Sequence, residues 1–205
     1  MRIVYNTAVS ANGYTADEAD SLGWLFAVDS PAPDRDVFVE CVGAIVCGAT
    51  TYEGILREEH LLDKPERWAD YFERRPMFVF TTRDLPVPDG ADVRLVAGPV
   101  AERLPEIERA VDGGTVWVQG GGDLAGQFLD AGALDEIEVS IAPAFLAGGA
   151  PVLPRMVPAN RLELTDVERV GQYAVLRYKV HGAAGWPIGH QDTSSGRPSS
   201  YPEVD

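Results

Sequence analysis

The sequence predicts an α/β protein built on one mixed, mostly parallel central sheet of seven or eight strands, with helices on both faces. Two observations predict it. Up to about residue 130, short and almost continuously apolar segments alternate with helical patterns, which suits strands buried on both faces. Beyond residue 135, two segments alternate polar and apolar residues across a short Gly-containing link, the pattern of an antiparallel hairpin.

The elements follow in order. "RIVYNTAV" (2–9) is rich in β-formers and predicts a buried central strand, and "SANGY" (10–14) carries an Asn-Gly turn signal. "SLGWLF" (21–26) reads as a loop or short helix with large apolar residues. "DRDVFVECVG" (34–43) sets Val37, Phe38 and Cys41 at helical spacing, with acids in the first turn and Gly43 as a stop. "AIVCG" (44–48), "MFVFTTR" (77–83), "DVRLVAG" (92–98) and "TVWVQ" (115–119) are strands. "VAERLPEIERAV" (100–111) is a helix that Pro105 interrupts or whose start it shifts. Leu124, Phe128 and Leu129 form one helical face, with Gly132 at the stop. "DEIEVSIAP" (135–143) precedes the hairpin strands 162–171 and 173–180. Residues 1–181 are expected to form one domain, and the Gly/Pro/Ser-rich segment 182–205 an irregular tail, disordered or anchored through Trp186 and Tyr201.

Apolar residues make up 45% of the 205, enough for a core, while the net charge is −15 and the pI near 4.5. A nucleic-acid surface needs clustered Lys and Arg, and anionic membranes attract the same residues, so neither partner is expected. One local Arg and a few backbone N–H groups still suffice for a phosphorylated cofactor. Cys41 and Cys47 form no CxxC and have no His at ligand spacing, which predicts two free thiols in a reducing compartment and no metal site. No apolar run reaches the ~18 residues of a membrane span, and the N-terminus reads directly as a strand rather than a secretory h-region. A cytoplasmic protein is expected.

The most informative stretch is "VWVQGGGDLAGQFLDAG", Val116 to Gly132. A strand runs into Gly120-Gly121-Gly122, and a helix pattern follows at once. The glycines allow close backbone approach, and a helix N-terminus adds unpaired N–H groups and partial positive charge, worth about 0.3–1 kcal/mol to an anion. The letters also fit G-x-G-x-x-A through Gly120, Gly122 and Ala125. That dinucleotide fingerprint belongs on the first βα unit of its domain, with further βαβ units after it. Here antiparallel strands follow instead. A plain glycine-rich turn without a ligand is the remaining alternative.

Residues 1 to about 181 resemble the dihydrofolate reductase-like family, and within it the C-terminal reductase domain of the bifunctional riboflavin-biosynthesis deaminase/reductase and its stand-alone relatives. The motifs stand in family order: "AVSANGY", "GWLF", "CGATTYE", a strand ending in Thr81-Thr82, the "VQGGGDLAGQFLDAGALDEIEVSIAP" block, and "PAFLAGG" (143–149). The resemblance implies the three-layer fold of that family and a nicotinamide nucleotide across the C-terminal sheet edge, usually NADPH, with NADH possible. It implies that Gly121, Gly122, Asp123 and Leu124 offer backbone N–H groups to the pyrophosphate, with a cis peptide between Gly120 and Gly121. Gly48, Thr50 and Thr51 would open a second helix onto the same group. Thr81, Thr82 and Arg83 would sit by the adenosine ribose, and Ala8 with the loop 10–14 would frame the nicotinamide. Two positions depart from the pattern. Ala49 stands where relatives commonly carry an Arg that helps to bind a 2′-phosphate, leaving Arg83 as the guanidinium at hand. Asn12 stands where many relatives have Asp.

Reduction of a C=N bond also needs a proton source. Dihydrofolate reductases use a carboxylate at the start of the helix before the "CG" strand, which makes Asp36 the first candidate catalytic residue, with Asp34 and Glu40 as alternatives. Acids at a helix start are equally accounted for by capping and the helix dipole. Trp24 and Phe38 are candidate walls of the substrate pocket, or plain core residues. His60 is expected on the surface without a catalytic role. The zinc-deaminase signature, H-x-E with P-C-x-x-C, is absent, so a reductase module alone is implied. The expectation is an NAD(P)H-dependent reductase of a pteridine-like or aminopyrimidine-like heterocycle. The alternatives are a catalytically decayed nucleotide-binding or assembly module of the same fold, or a flavin or deazaflavin binder. A homodimer is expected, with "IAPAFLAGGAPVLP" (141–154) as part of its interface or as ordinary strand and loop core.

Overall fold

The structure, a computed structural model, describes residues 1–33, 36–111 and 113–182. Trp186 and Tyr201, the two anchors considered for the C-terminal segment, lie outside the described residues. The chain begins with strand β1 (Arg2–Ser10) and a short β2 (Tyr14–Ala16), then helices α1 (Gly23–Phe26) and α2 (Asp36–Glu40). Strand β3 (Val42–Gly48) runs into α3 (Ala49–Glu58), and a 3₁₀ turn leads to α4 (Trp68–Phe72). Next come β4 (Met77–Phe80), β5 (Val93–Val96), α5 (Val100–Val111), β6 (Thr115–Gly120) and α6 (Gly122–Asp130). The last elements described are β7 (Glu136–Ala142), the two-residue β8 (Ala150–Pro151), β9 (Leu162–Val170) and β10 (Tyr173–Val180).

Eight strands form one sheet in the order β5-β4-β3-β6-β1-β7-β10-β9. The pairings from β5 across to β7 are all parallel, and β10 is antiparallel to both of its neighbours. The sheet is mixed and mostly parallel, as the sequence predicts, with the hairpin at its end. β2 and β8 make a separate two-stranded ribbon.

Each face of the sheet has its own core. On one, α5 and α6 lay Ile107, Phe128 and Leu129 against Ile3, Val116 and Val118, all buried. On the other, α3 and α4 set Tyr52, Leu56, Trp68 and Phe72 against Ile45 and Met77. Burying side chains of this size contributes about 1.5–3 kcal/mol each. The α4 helix and its 3₁₀ lead-in were not marked by any sequence period, because both are too short to show one.

Three elements differ from the sequence expectation. The helix expected over 34–43 stops at Glu40, and Gly43 lies inside β3 rather than ending a helix. A Cβ on Gly43 would meet Val111 Cγ1 at 2.8 Å and Val111 O at 3.0 Å, so glycine there lets the end of α5 cross the strand closely. Pro105 neither interrupts α5 nor shifts its start; it sits inside the helix. It is exposed, so the carbonyl that loses its partner faces water. Finally, β9 alternates in sequence but is exposed along both faces, with Leu164 at 51% and Val167 at 60% exposure. It is an edge strand, at the hairpin end of the sheet.

Candidate active site

Strands β3, β6 and β1 lie side by side, and their C-terminal ends share one edge. Two helices start there. α3 leaves β3 with Gly48 as N-cap, and α6 leaves β6 with Gly121 as N-cap; both glycines are extended, at φ −85°, ψ 165° and φ −84°, ψ 178°. Neither cap residue supplies a side-chain hydrogen bond. The first N–H groups of two helices therefore open onto the same edge, a Cβ built on Gly48 lying 3.9 Å from Gly121 N.

The three glycines have three different surroundings. A Cβ on Gly120 would meet Thr51 Oγ1 at 2.9 Å. A Cβ on Gly122 would drive into Pro151 O at 2.3 Å and Val152 O at 2.4 Å. A Cβ on Gly121 would meet nothing within 4 Å. Packing thus explains Gly120 and Gly122, while Gly121 faces open space. The peptide between Gly120 and Gly121 is cis. Open space over a glycine, framed by two helix N-termini, fits a dinucleotide's pyrophosphate. The Rossmann alternative does not survive the topology, because β6 is central and the strands that follow α6 lead into an antiparallel hairpin.

Asp123 and Leu124 continue the first turn of α6. Leu124 buries its side chain in the core, so only its N–H is at issue. The Asp123 carboxyl is exposed and held below the usual carboxylate range, first by the hydrogen bond from Gln127 Nε2 at 2.9 Å and then by Arg155. Arg155 lies 3.0 Å from Asp123 and 2.8 Å from Asp130. A Cβ on Gly126 would come within 2.9 Å of that guanidinium, so the glycine makes room for it.

On the other side of the edge, Thr81 N donates to Val96 O at 2.8 Å, and Arg83 N donates to Thr81 Oγ1 at 3.0 Å, which folds the segment into a tight turn. Thr50, Thr82 and Arg83 are exposed; Ala49 is partly buried against the α3 core. The Arg83 guanidinium holds both Glu53 carboxylate oxygens, at 3.0 and 2.6 Å.

Ala8 is partly buried on β1, opposite Ser140 of β7. The loop 10–14 beside it is fixed by Asn12. Asn12 Nδ2 donates to Leu146 O at 2.7 Å, while its Oδ1 accepts from Leu146 N at 3.1 Å and from Ser10 Oγ at 2.9 Å. Asn12 is thus a clamp between this loop and 143–149. Phe38 is partly buried and packs edge-on against Trp117, centroids 5.7 Å apart, at the border of the core. Trp24 is half-buried on α1, and its Nε1 is buried with no hydrogen-bond partner among the described residues. Of the candidate acids, Asp34 lies outside the described residues, Asp36 is described by its backbone alone at the start of α2, and Glu40 is exposed. His60 is exposed with φ +53°.

The structure adds residues that the sequence did not single out. Gln119, immediately before the glycines, has a buried Oε1 without a hydrogen-bond partner among the described residues. Its place in "VQGGG" was the available signal. On β1, buried Asn6 donates from Nδ2 to Glu138 Oε1 at 2.9 Å, and Arg177 Nε donates to Glu138 Oε2 at 2.6 Å. Arg177 also reaches Asp166 and Glu168. This ladder runs across β1, β7, β10 and β9, and only strand register reveals it. Among the described residues no group of three or more His, Cys, Asp or Glu could hold a metal ion, and no helix is long and apolar enough to cross a membrane.

The model of the RibD C-terminal domain family matches residues 2–176. The chain belongs to that family. Its relatives include the uncharacterized protein YwjB of Bacillus subtilis, 23% identical over 178 residues, spanning 86% of this chain and 97% of YwjB. Among solved structures, a putative riboflavin biosynthesis protein from Shewanella sp. PV-4 superposes with a TM-score of 0.71 at 23% identity, over 89% of this chain and all of that one. A dihydrofolate reductase from Enterococcus faecalis complexed with NADP(H) gives a TM-score of 0.58 at 14% identity, over 88% and 97% of the two chains. These likenesses establish the dihydrofolate reductase-like α/β fold. The RibD C-terminal domain family is of reductase type.

Proposed function

We propose that the protein is a nicotinamide-dependent reductase of a pteridine-like or aminopyrimidine-like heterocycle. One observation carries this function: two helix N-termini without side-chain caps, at Gly48 and Gly121, open together onto the space above Gly121. In this assignment the N–H groups of Gly121, Gly122, Asp123 and Leu124 hold the pyrophosphate from one side, and those following Gly48, with Thr50 and Thr51, from the other. Thr81, Thr82 and Arg83 flank the adenosine ribose, and Ala8 with the Asn12-clamped loop borders the nicotinamide. NADPH is the family's usual form. When bound, the nicotinamide supplies the hydride.

The chain's own residues bind and orient the substrate. Trp24 Nε1 is a buried donor and Gln119 Oε1 a buried acceptor, each without a protein partner among the described residues. An orphaned buried polar group costs about 1–3 kcal/mol, which a ligand group of the opposite kind recovers. A heterocycle with a ring carbonyl and an amino group offers both kinds. Asp36 is the first candidate proton source, with Glu40 and Asp34 next. The same function implies a cytoplasmic protein whose thiols stay reduced: Cys41 is exposed, and burial pushes the Cys47 thiol up to about 12. It also implies a homodimer, for which the exposed Phe145 (80%) and Met156 (94%) supply apolar contact surface in and beside 141–154. Gel filtration with light scattering tests the dimer.

The function is tested by following nicotinamide absorbance with pterin and aminopyrimidine panels, alongside thermal shift with NADPH and NADH. Binding of at least one dinucleotide and oxidation by at least one heterocycle is the expected outcome. Absence of any shift at millimolar dinucleotide would sink the proposal. Binding without turnover across the panel would favour a binding module, a reading supported by Asn12, whose amide is committed to the loop where many relatives carry an acid.

A further inference from the structure

The ends of β3 and β4 are neighbours, with Gly48 opposite Phe80. That register sets the first turns of α3 beside residues 81–83, and an ion pair between Arg83 and Glu53 joins them. The Arg83 guanidinium grips both oxygens of Glu53, Nη1 to Oε1 at 3.0 Å and Nη2 to Oε2 at 2.6 Å. This is the fork that a guanidinium otherwise offers to a phosphate. At the head of α3, Ala49 supplies no charge, and the first turn holds no acid.

We propose that the Glu53–Arg83 pair makes this site select a nicotinamide dinucleotide whose adenosine ribose is an unphosphorylated diol, NADH, over its 2′-phosphorylated form. The proposal rests on the placement of the dinucleotide at the Gly48–Gly121 edge. A ribose diol is recognised by a carboxylate that accepts from its hydroxyls, and a 2′-phosphate by a free arginine. Here both residue types are present, and each occupies the other. The diol brings no charge and finds Glu53 already held in place. The phosphate brings a charge of about −1.5 to −2 and must displace Glu53 from Arg83 or share the guanidinium with it. Either way the carboxylate stands beside a dianion, in a chain whose net charge of −15 has the same sign. Arg83 is 54% and Glu53 39% exposed, so as a surface ion pair they add little to stability and can be altered without unfolding the protein.

The experiment measures Kd for NADH and NADPH by nicotinamide fluorescence and calorimetry, for the wild type, Glu53→Gln and Arg83→Gln. The wild type is expected to bind NADH about fivefold or more tighter than NADPH. Glu53→Gln frees the guanidinium and tightens NADPH about tenfold, while NADH weakens by no more than a few-fold. Arg83→Gln weakens NADPH further. Glu53→Asp shortens the carboxylate out of its bidentate grip and moves the preference the same way as Glu53→Gln, should the latter fail to fold. A wild type that prefers NADPH, or Glu53 variants that leave the ratio unmoved, overturns the selectivity while the cofactor site stands. Binding of neither dinucleotide by any form at millimolar concentration overturns the site assignment, and the selectivity with it.

Discussion

Gly121 and Gly122 are adjacent, yet substituting each by alanine should have opposite consequences. A Cβ on Gly122 would lie 2.3 Å from Pro151 O and 2.4 Å from Val152 O, both backbone atoms. A carbon–oxygen contact normally needs about 3.4 Å, so the 151–152 backbone or the start of α6 must move by about 1 Å. Overpacking of this kind costs about 1–3 kcal/mol. In a chain of this size each kcal/mol lowers Tm by about 2–4 °C, so Gly122→Ala should melt about 2–12 °C below the wild type. Gly121→Ala meets nothing within 4 Å, and its φ of −84° suits any residue, so the variant should melt with the wild type. Its methyl group instead fills the space assigned to the pyrophosphate. Losing one or two charge-assisted hydrogen bonds weakens dinucleotide binding about 10- to 100-fold. Differential scanning calorimetry and a fluorescence titration on the same preparations separate the two effects. A Gly121→Ala protein that binds like the wild type removes the cradle; a Gly122→Ala protein that melts like the wild type removes the packing account.

Three further outcomes are expected. Trp68 is buried, its Nε1 has no partner among the described residues, and its ring lies tilted against Phe72 with centroids 4.6 Å apart, so Trp68→Phe deletes an orphan donor and should cost about 1 kcal/mol or less in urea unfolding, against about 3–5 for Trp68→Ala. Tyr52 donates its hydroxyl to Pro86 O at 2.8 Å, and burial, with Cys47 second, raises its pKa to about 12. The folded value lies above the unfolded one near ~10, so its contribution is full below that pH and lost as pH rises towards the folded value; Tyr52→Phe should flatten that limb of a stability–pH curve and cost about 1 kcal/mol at neutral pH. Asp123 has the opposite sign: its folded pKa is depressed, so its contribution is full above about pH 4 and lost as pH falls, and Asp123→Asn melts should vary less with pH than wild-type melts below about pH 5.

The sequence by itself determined the sheet and the site's anchor. Apolar runs such as "RIVYNTAV" and "TVWVQ" must be buried on both faces, which fixes parallel strands under helices, and the alternation in 162–180 fixes the closing hairpin. The same letters put a strand, three glycines and a helix in a row, so a helix N-terminus at Gly121 was legible as a local fact. Side-chain periods, however, say nothing about which strands become neighbours. Only the order β4-β3-β6-β1 brings Gly48 beside Gly121 and Arg83 beside Glu53, residues 73 and 30 positions apart in the chain. Arg83 illustrates the difference: in the sequence it is a free cation after a strand, and in the fold its guanidinium is already engaged. Asn6, Glu138 and Arg177 likewise look like scattered polar residues until register lines them up on one face. Gly43 and Gly122 needed tertiary structure for a simpler reason. Each is glycine because another segment's backbone passes too close for a Cβ, and close approach is a property of the packed chain, invisible in any local window.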